Sequence, residues 1–204
     1  MHKIGVIGTF GVGKTTFIHR LFSELKYRAF QVEMVPELSR LCPYDINESG
    51  AVTRGQYWIL KEQIHLELEH AERIPDFLLC DRCVFDNTIF ALRGAEKGYV
   101  DAAVCSLIRT VAANWQKTYS LLVYTRMEDY LRLSRNRGME DGVRSTSEEF
   151  QLDIERRIRA AWAEFPGDKI EVGGNLTQRL DQTMEWLRAH VNDDRLRSQE
   201  FPLV

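Results

Sequence analysis

A short apolar run, Ile4-Gly5-Val6-Ile7, passes directly into Gly8-Thr9-Phe10-Gly11-Val12-Gly13-Lys14-Thr15, after which the chain takes up a helical period. The Ile/Val run stopped by Gly8 has the pattern of a strand buried on both faces, as in a parallel sheet. Ile18, Leu21, Phe22 and Leu25 recur at i, i+3, i+4 and i+7, which predicts a helix over 14–26 with one face on the core. The eight residues between fit G-x-x-x-x-G-K-S/T at every position, in the strand, loop and helix context that gives this pattern physical meaning. Glycines there let successive backbone N–H groups and the helix N-terminus converge on negative charge. The competing reading is a glycine-rich turn that holds Lys and Thr by chance, and the flanking elements weigh against it.

Further along, strand and helix patterns alternate. Phe30 to Val35 reads as a strand stopped by Pro36, and 42–50, with Pro43, Asp45, Asn47 and Gly50, reads as loop. Tyr57, Leu60, Ile64, Leu68 and Ala71 predict one apolar face of a helix over 52–72. Phe77 to Cys80 and Tyr119 to Tyr124 are strand-like, with helices expected over 86–93 and 101–117. After Thr125 the pattern predicts a helix to Arg137, a loop over 138–146 and a helix over 147–165. A short strand at 170–172 and a helix carrying Leu176, Leu180, Met184 and Leu187 close the series. Such alternation implies a parallel sheet covered on both faces, in one domain over 1–192 followed by a polar, poorly ordered tail over 193–204.

Composition narrows the chemistry. A formal net charge of -3 argues against a protein that coats nucleic acid electrostatically, though a local basic patch stays compatible with it. The chain enters its first strand straight from Met1-His2-Lys3 and has no apolar run of about 18 residues, so no membrane and a cytoplasmic location are expected. Cys42, Cys80, Cys83 and Cys105 are expected as reduced thiols. Cys80-Asp81-Arg82-Cys83 has redox or half-zinc spacing, but no second Cys/His pair lies near it in sequence.

The octapeptide assigns roles by its chemistry. Lys14 would reach the β and γ phosphates of ATP, and the Thr15 hydroxyl would ligate Mg2+. Gly8, Gly11, Val12, Gly13, Lys14, Thr15 and Thr16 are the expected phosphate-holding set. Asp81 ends an apolar strand, at the sheet edge where open α/β folds bind ligands, and a carboxylate there can hold magnesium through water. Arg82 beside it can neutralise phosphate charge; the alternative is a capping Asp with a surface Arg.

The octapeptide, then Pro36-Glu37-Leu38-Ser39-Arg40, then Asp81-Arg82-Cys83-Val84-Phe85-Asp86, taken in that order, resemble the P-loop nucleoside and nucleotide kinase superfamily. The pattern is closest to its thymidylate-kinase-like and nicotinamide-riboside-kinase-like ATPases and covers roughly residues 1–190. That resemblance implies a three-layer α/β P-loop NTPase fold with a five-stranded parallel sheet and an Arg-rich helical lid at 132–147. It also implies that Glu37 takes the proton from the attacking hydroxyl, although Pro36 precedes Glu37 here where a proline follows the Glu in many deoxynucleoside kinases. Arg40 would hold the acceptor; an ion pair between Glu37 and Arg40 is the plainer reading.

Arg126, Arg132, Arg135, Arg137, Arg144, Arg156, Arg157 and Arg159 fall in a stretch with no lysine, a bias that suits phosphate recognition because Arg binds phosphate bidentately. The resemblance makes Arg135, Arg137 and Arg144 the lid candidates, Arg135 toward the nucleotide and the other two toward the acceptor. Arg156, Arg157 and Arg159 read instead as helix-face partners of Glu148, Glu149, Asp153 and Glu155. By the same resemblance Gln56, Trp58 and Gln63 fall where a base pocket is lined, with core packing as the alternative for Trp58. Gly173-Gly174-Asn175 falls beside the adenine or is a plain turn.

These features predict an ATP-dependent phosphotransferase acting on a nucleoside or nucleotide, with Lys14, Glu37, Asp81 and Arg82 carrying the chemistry and Thr15 and Asp81 the metal. Two alternatives stand beside it. One is a kinase of a hydroxymethylated pyrimidine, in DNA or as free nucleotide, as in viral hypermodification; the other is a nucleotide switch or ATPase without a small acceptor. A homodimer is open in each.

Overall fold

The computed structural model describes residues 1–46, 52–127, 148–165 and 167–198. Five strands, β1 (His2–Ile7), β2 (Val32–Val35), β3 (Phe77–Asp81), β4 (Leu121–Thr125) and β5 (Lys169–Val172), form one sheet in the order β2-β3-β1-β4-β5. Every pairing is parallel. Parallel neighbours need crossovers, and the helices supply them: α1 (Lys14–Tyr27), α2 (Val52–Ala71), α3 (Val84–Glu96), α4 (Ala102–Trp115), α5 (Glu148–Glu164) and α6 (Leu176–His190).

The helices cover both faces of the sheet. Ile18, Leu21 and Leu25 of α1 and Leu180, Met184 and Leu187 of α6 pack on Ile4, Val6, Leu79 and Val123. On the other face Leu60, Val84, Ile89, Ile108, Ile154 and Ile158, from α2 to α5, pack on Ile7, Leu78, Cys80 and Leu122. Because successive strand side chains point to opposite faces, a near-continuous apolar strand feeds two cores at once. This is the three-layer α/β P-loop fold that the sequence pattern predicts. The lid expected at 132–147 lies outside the described residues, as do residues 128–146 of the expected helix and loop and Asn47 and Gly50 of the earlier loop.

The register fixes what meets at the sheet's carboxyl edge. Val6 lies beside Asp81, and Ile7 beside Tyr124, so the loop leaving the central strand rises between the ends of β3 and β4. That crevice is where open α/β sheets bind ligands.

Three departures from the sequence pattern have physical causes. β2 begins at Val32 because residues 28–30 close α1: Ala29 adopts φ 60, the Phe30 amide bonds the Leu25 carbonyl, and the Phe30 ring packs edge-on to Phe77. The buried face of α2 is rotated from the expected stripe. Tyr57 and Leu68 are exposed, whereas Gln56, Leu60, Gln63 and Glu67 point inward. Burial there is made tolerable by partners: Lys3 Nζ (2.8 Å), Gln63 Nε2 (2.8 Å), Trp115 Nε1 (2.7 Å) and the Tyr119 hydroxyl all donate to Glu67. The tail expected to be poorly ordered docks as far as Ser198. Leu196 is fully buried, and Arg28 donates to the carbonyls of Arg195, Leu196 and Ser198.

Candidate active site

The Gly8–Thr15 loop owes its shape to two positions in particular. A Cβ on Gly8 would stand 2.6 Å from the Thr125 carbonyl oxygen, so a side chain there would separate β1 from β4. Gly13, at the N-cap of α1, has φ 81, a left-handed conformation that glycine adopts without steric cost. Lys14 is 5% exposed and donates to the Thr9 carbonyl at 2.7 Å. Burial, reinforced by the nearby Arg82 charge, lowers its pKa to about 8. The ammonium is thus poorly solvated and is held where added negative charge would be favourable.

Thr15 and Asp81, the expected metal ligands, meet directly: the Thr15 hydroxyl donates to Asp81 Oδ2 at 2.6 Å. Asp81 Oδ1 is buried and accepts no hydrogen bond among the described residues. A hydroxyl and a carboxylate with one oxygen unclaimed form a hard oxygen donor set that suits Mg2+.

Arg82 connects this loop to Glu37. Its φ of 79 is left-handed, a conformation that costs a non-glycine residue on the order of 1–3 kcal/mol and clusters at functional sites. Its Nε donates to Glu37 Oε1 at 2.7 Å, its Nη1 reaches the Gly8 carbonyl at 3.4 Å, and the same nitrogen lies 3.6 Å from Asp86. Glu37, 7% exposed, also accepts from the Ser39 hydroxyl (3.1 Å) and Arg40 Nε (3.3 Å). The expected Glu37–Arg40 pair therefore exists, but Glu37 is buried rather than exposed, and Arg82 is its closer partner.

Glu37, Ser39, Arg82 and Asp86, but not Arg40, line a pocket with Phe10, Leu38, Gln56, Gln63, Asn87 and Phe90. Gln63 Nε2 is committed to Glu67 and to the Arg82 carbonyl. Asn87 Nδ2 donates to the Gln56 side-chain oxygen at 2.9 Å and to its carbonyl at 3.1 Å. Trp58 is half-buried and is not a wall of this pocket. Among the hydrogen-bonding side chains of the wall, sequence reasoning missed three: Ser39, Asp86 and Asn87. Burial pushes the Asp86 carboxyl up to about 6 against the pull of Arg82 and Lys14. Neither of its oxygens, nor Asn87 Oδ1, accepts a hydrogen bond among the described residues. One turn of helix beyond the Asp81-Arg82 pair would have reached both, since Val84 already begins α3.

Other expectations separate out. Arg132, Arg135, Arg137 and Arg144 lie outside the described residues. Arg157 bridges Glu96 and Asp153, Arg156 pairs with Asp153 and Arg159 with Glu155, the helix-face role their spacing suggests. Cys80 and Cys83 are free and buried, and burial holds both thiols well above the ordinary range, which disfavours the thiolate that redox or metal chemistry needs. Gly174 forms a left-handed turn ahead of α6, where Asn175 and Gln178 make a reciprocal cap.

Residues 3–179 match the model of the AAA domain family. The chain belongs to that family. This AAA-domain chain matches no curated protein. Among solved structures it resembles deoxyadenosine kinase from M. mycoides with the products dCMP and a flexible dCDP bound, at 17% identity and a TM-score of 0.70 over 92% of this chain and 99% of that one. The same enzyme with bound dATP is 19% identical, with a TM-score of 0.67 over 92% and 100% of the two chains. With bound dCTP the values are 16% and 0.67 over 92% and 99%. The AAA domain described here thus has the fold of P-loop nucleoside kinases.

Proposed function

We propose that the protein is an ATP-dependent kinase that transfers the γ-phosphoryl group to a nucleoside or nucleotide. The observation that carries this reading is the join between two halves of one crevice: Arg82 touches the Gly8 carbonyl of the phosphate loop and the Glu37 carboxylate of the acceptor pocket. A triphosphate on the loop and a hydroxyl beside Glu37 would be neighbours. The likeness to a deoxyadenosine kinase solved with dATP and with deoxycytidine nucleotides supports the substrate class.

Each residue has a role its surroundings permit. Lys14 exchanges the Thr9 carbonyl for phosphate oxygens, and amides from Gly11 to Thr16 hold the rest of the chain of phosphates. Thr15 and Asp81 would hold Mg2+, which neutralises charge on the β and γ phosphates. Glu37 accepts the proton of the attacking hydroxyl, and Arg82 meets the charge that develops on the transferring group. Phe10 and Phe90 offer apolar walls to a base, and the Gln56–Asn87 amide pair presents the donor and acceptor edge that reads one. Arg40, Gln63, Arg137 and Arg144 complete the proposed acceptor side, and Arg135 the nucleotide side.

Incubation with Mg-ATP and a panel of deoxynucleosides, nucleotides and duplex DNA carrying hydroxymethylated pyrimidine tests the proposal. One free nucleoside or nucleotide is expected to gain phosphate. ATP hydrolysis at the same rate with and without every acceptor would sink the kinase reading and favour a switch or ATPase. Phosphate entering only the DNA would move the acceptor there. Lys14→Ala is expected to lower turnover by about 10²–10³-fold with little change in thermal midpoint.

A further inference from the structure

The phosphate loop is held from outside by two buried side chains that no motif includes. Gln151, on α5, donates from Nε2 to the Phe10 carbonyl at 2.6 Å and accepts the Thr9 hydroxyl on its own carbonyl at 3.1 Å. Arg179, on α6, donates from Nη1 to the Val12 carbonyl at 2.6 Å and from Nε to the Gly174 carbonyl at 3.0 Å. Both are nearly inaccessible, at 7% and 3% exposure. In a trans peptide the C=O of one residue and the N–H of the next point in opposite directions. Holding the Phe10 and Val12 carbonyls outward therefore turns the Gly11 and Gly13 amides inward, toward the space Lys14 faces. Neither glycine can fix its own orientation, having φ values of 78 and 81 and the widest backbone freedom of any residue.

We infer that Gln151 and Arg179 are positioning residues for the nucleotide: they fix the direction of the Gly11 and Gly13 amides and so set the affinity for a triphosphate, without touching it. Donors already aimed need no reorganisation when the anion arrives, which is what makes a backbone cradle effective. Arg179 extends the constraint to Gly174, tying the turn before α6 to the loop. The local sequence signal is slight, because Arg179 lies beside Leu180 on the buried face of α6 and Gln151 sits one turn into α5.

The inference rests on reading Gly8–Thr15 as a triphosphate cradle, and not on the identity of the acceptor. Its test is calorimetric titration of the full chain with inorganic tripolyphosphate, Mg-ATP and Mg-GTP, for wild type, Gln151→Met, Arg179→Met and Arg179→Lys, with thermal melts of each. Affinity for all three ligands is expected to fall by the same factor, about tenfold, in each Met variant, since one short hydrogen bond is lost from the loop. Arg179→Lys is expected to recover most of the loss, because one donor suffices for Val12. The KM for the acceptor stays at its wild-type value.

Folded variants that bind tripolyphosphate as wild type does would overturn the inference, as would a loss confined to ATP. A purely structural role would lower the melting midpoint and leave tripolyphosphate affinity unchanged. If Arg179→Met does not fold, Gln151→Met decides. Wild-type protein that binds tripolyphosphate but phosphorylates no acceptor would sink the kinase reading and leave this one standing; wild-type protein that binds none overturns both.

Discussion

Glu67 and Glu37 are buried carboxylates with a basic partner under 3 Å away, yet they stand at opposite ends of the sheet. Glu67 meets Lys3 at the start of β1, Glu37 meets Arg82 just past the end of β3. Around Glu67 four donors converge, and Lys3 is itself covered by the rings of Trp115 and Tyr119 at 4.7 and 4.8 Å. Glu37 is also well supplied with donors, but it forms part of a pocket wall. Burial and ion pairing are thus common to both. What separates them is access and the end of the sheet, since only the carboxyl edge gathers the loops that can close on a ligand. Gln63 joins the two, giving its amide to Glu67 and to the Arg82 carbonyl.

Substitutions can break this contrast. Glu37→Gln keeps the shape of the pocket wall and removes the proposed proton acceptor, so turnover should fall by about 10²–10⁴-fold while ATP affinity and thermal midpoint stay near wild type. Undiminished activity in that variant would shift the base role to Asp81. Glu67→Leu should do the reverse. It strands the Lys3 ammonium and should cost about 3–5 kcal/mol in denaturant unfolding, with turnover per folded molecule preserved.

Asp86 sharpens the contrast through pH. Its folded pKa, about 6, lies above its ordinary value of 3.8, so between those values the native state binds the proton that the unfolded chain releases. Stability contributed by the protonated form is therefore present at low pH and lost as pH rises through 6. Asp86→Asn should be more stable than wild type at pH 7, by about 2–3 kcal/mol, and equal to it at pH 4, as read from urea midpoints across that range. A gain that is the same at both pH values would show that ionisation is not the cause. The smallest effect belongs to Arg40→Ala, whose pair with Glu37 is 43% exposed on the Arg side and should contribute under about 1 kcal/mol to stability.

Much of the molecule was legible in the sequence because its strands are apolar throughout and its loop motif carries its own context. β1, β3, α1 and α6 follow from such local patterns, and Lys14, Thr15, Asp81 and Glu37 do come together. The face of α2 was not legible. Its inward residues are polar, and the groups that satisfy them, Lys3, Asn87, Trp115 and Tyr119, come from four other places in the chain. Hydrophobic periodicity has no means of counting such partners. Arg82 is similar: its left-handed backbone, which no propensity favours for arginine, is what its three contacts require. Gln151 and Arg179 bond carbonyls 141 and 167 positions away, contacts that exist only after folding.

The central strand has a further consequence during synthesis. Residues 2–7 are made before both of their neighbours in the sheet, residues 77–81 and 121–125. At a translation rate of roughly 5–20 residues per second, the strand waits many seconds on the ribosome with both edges bare. A nascent chain halted between residues 81 and 121 is left with one such edge open to any other strand it encounters, a template for aggregation.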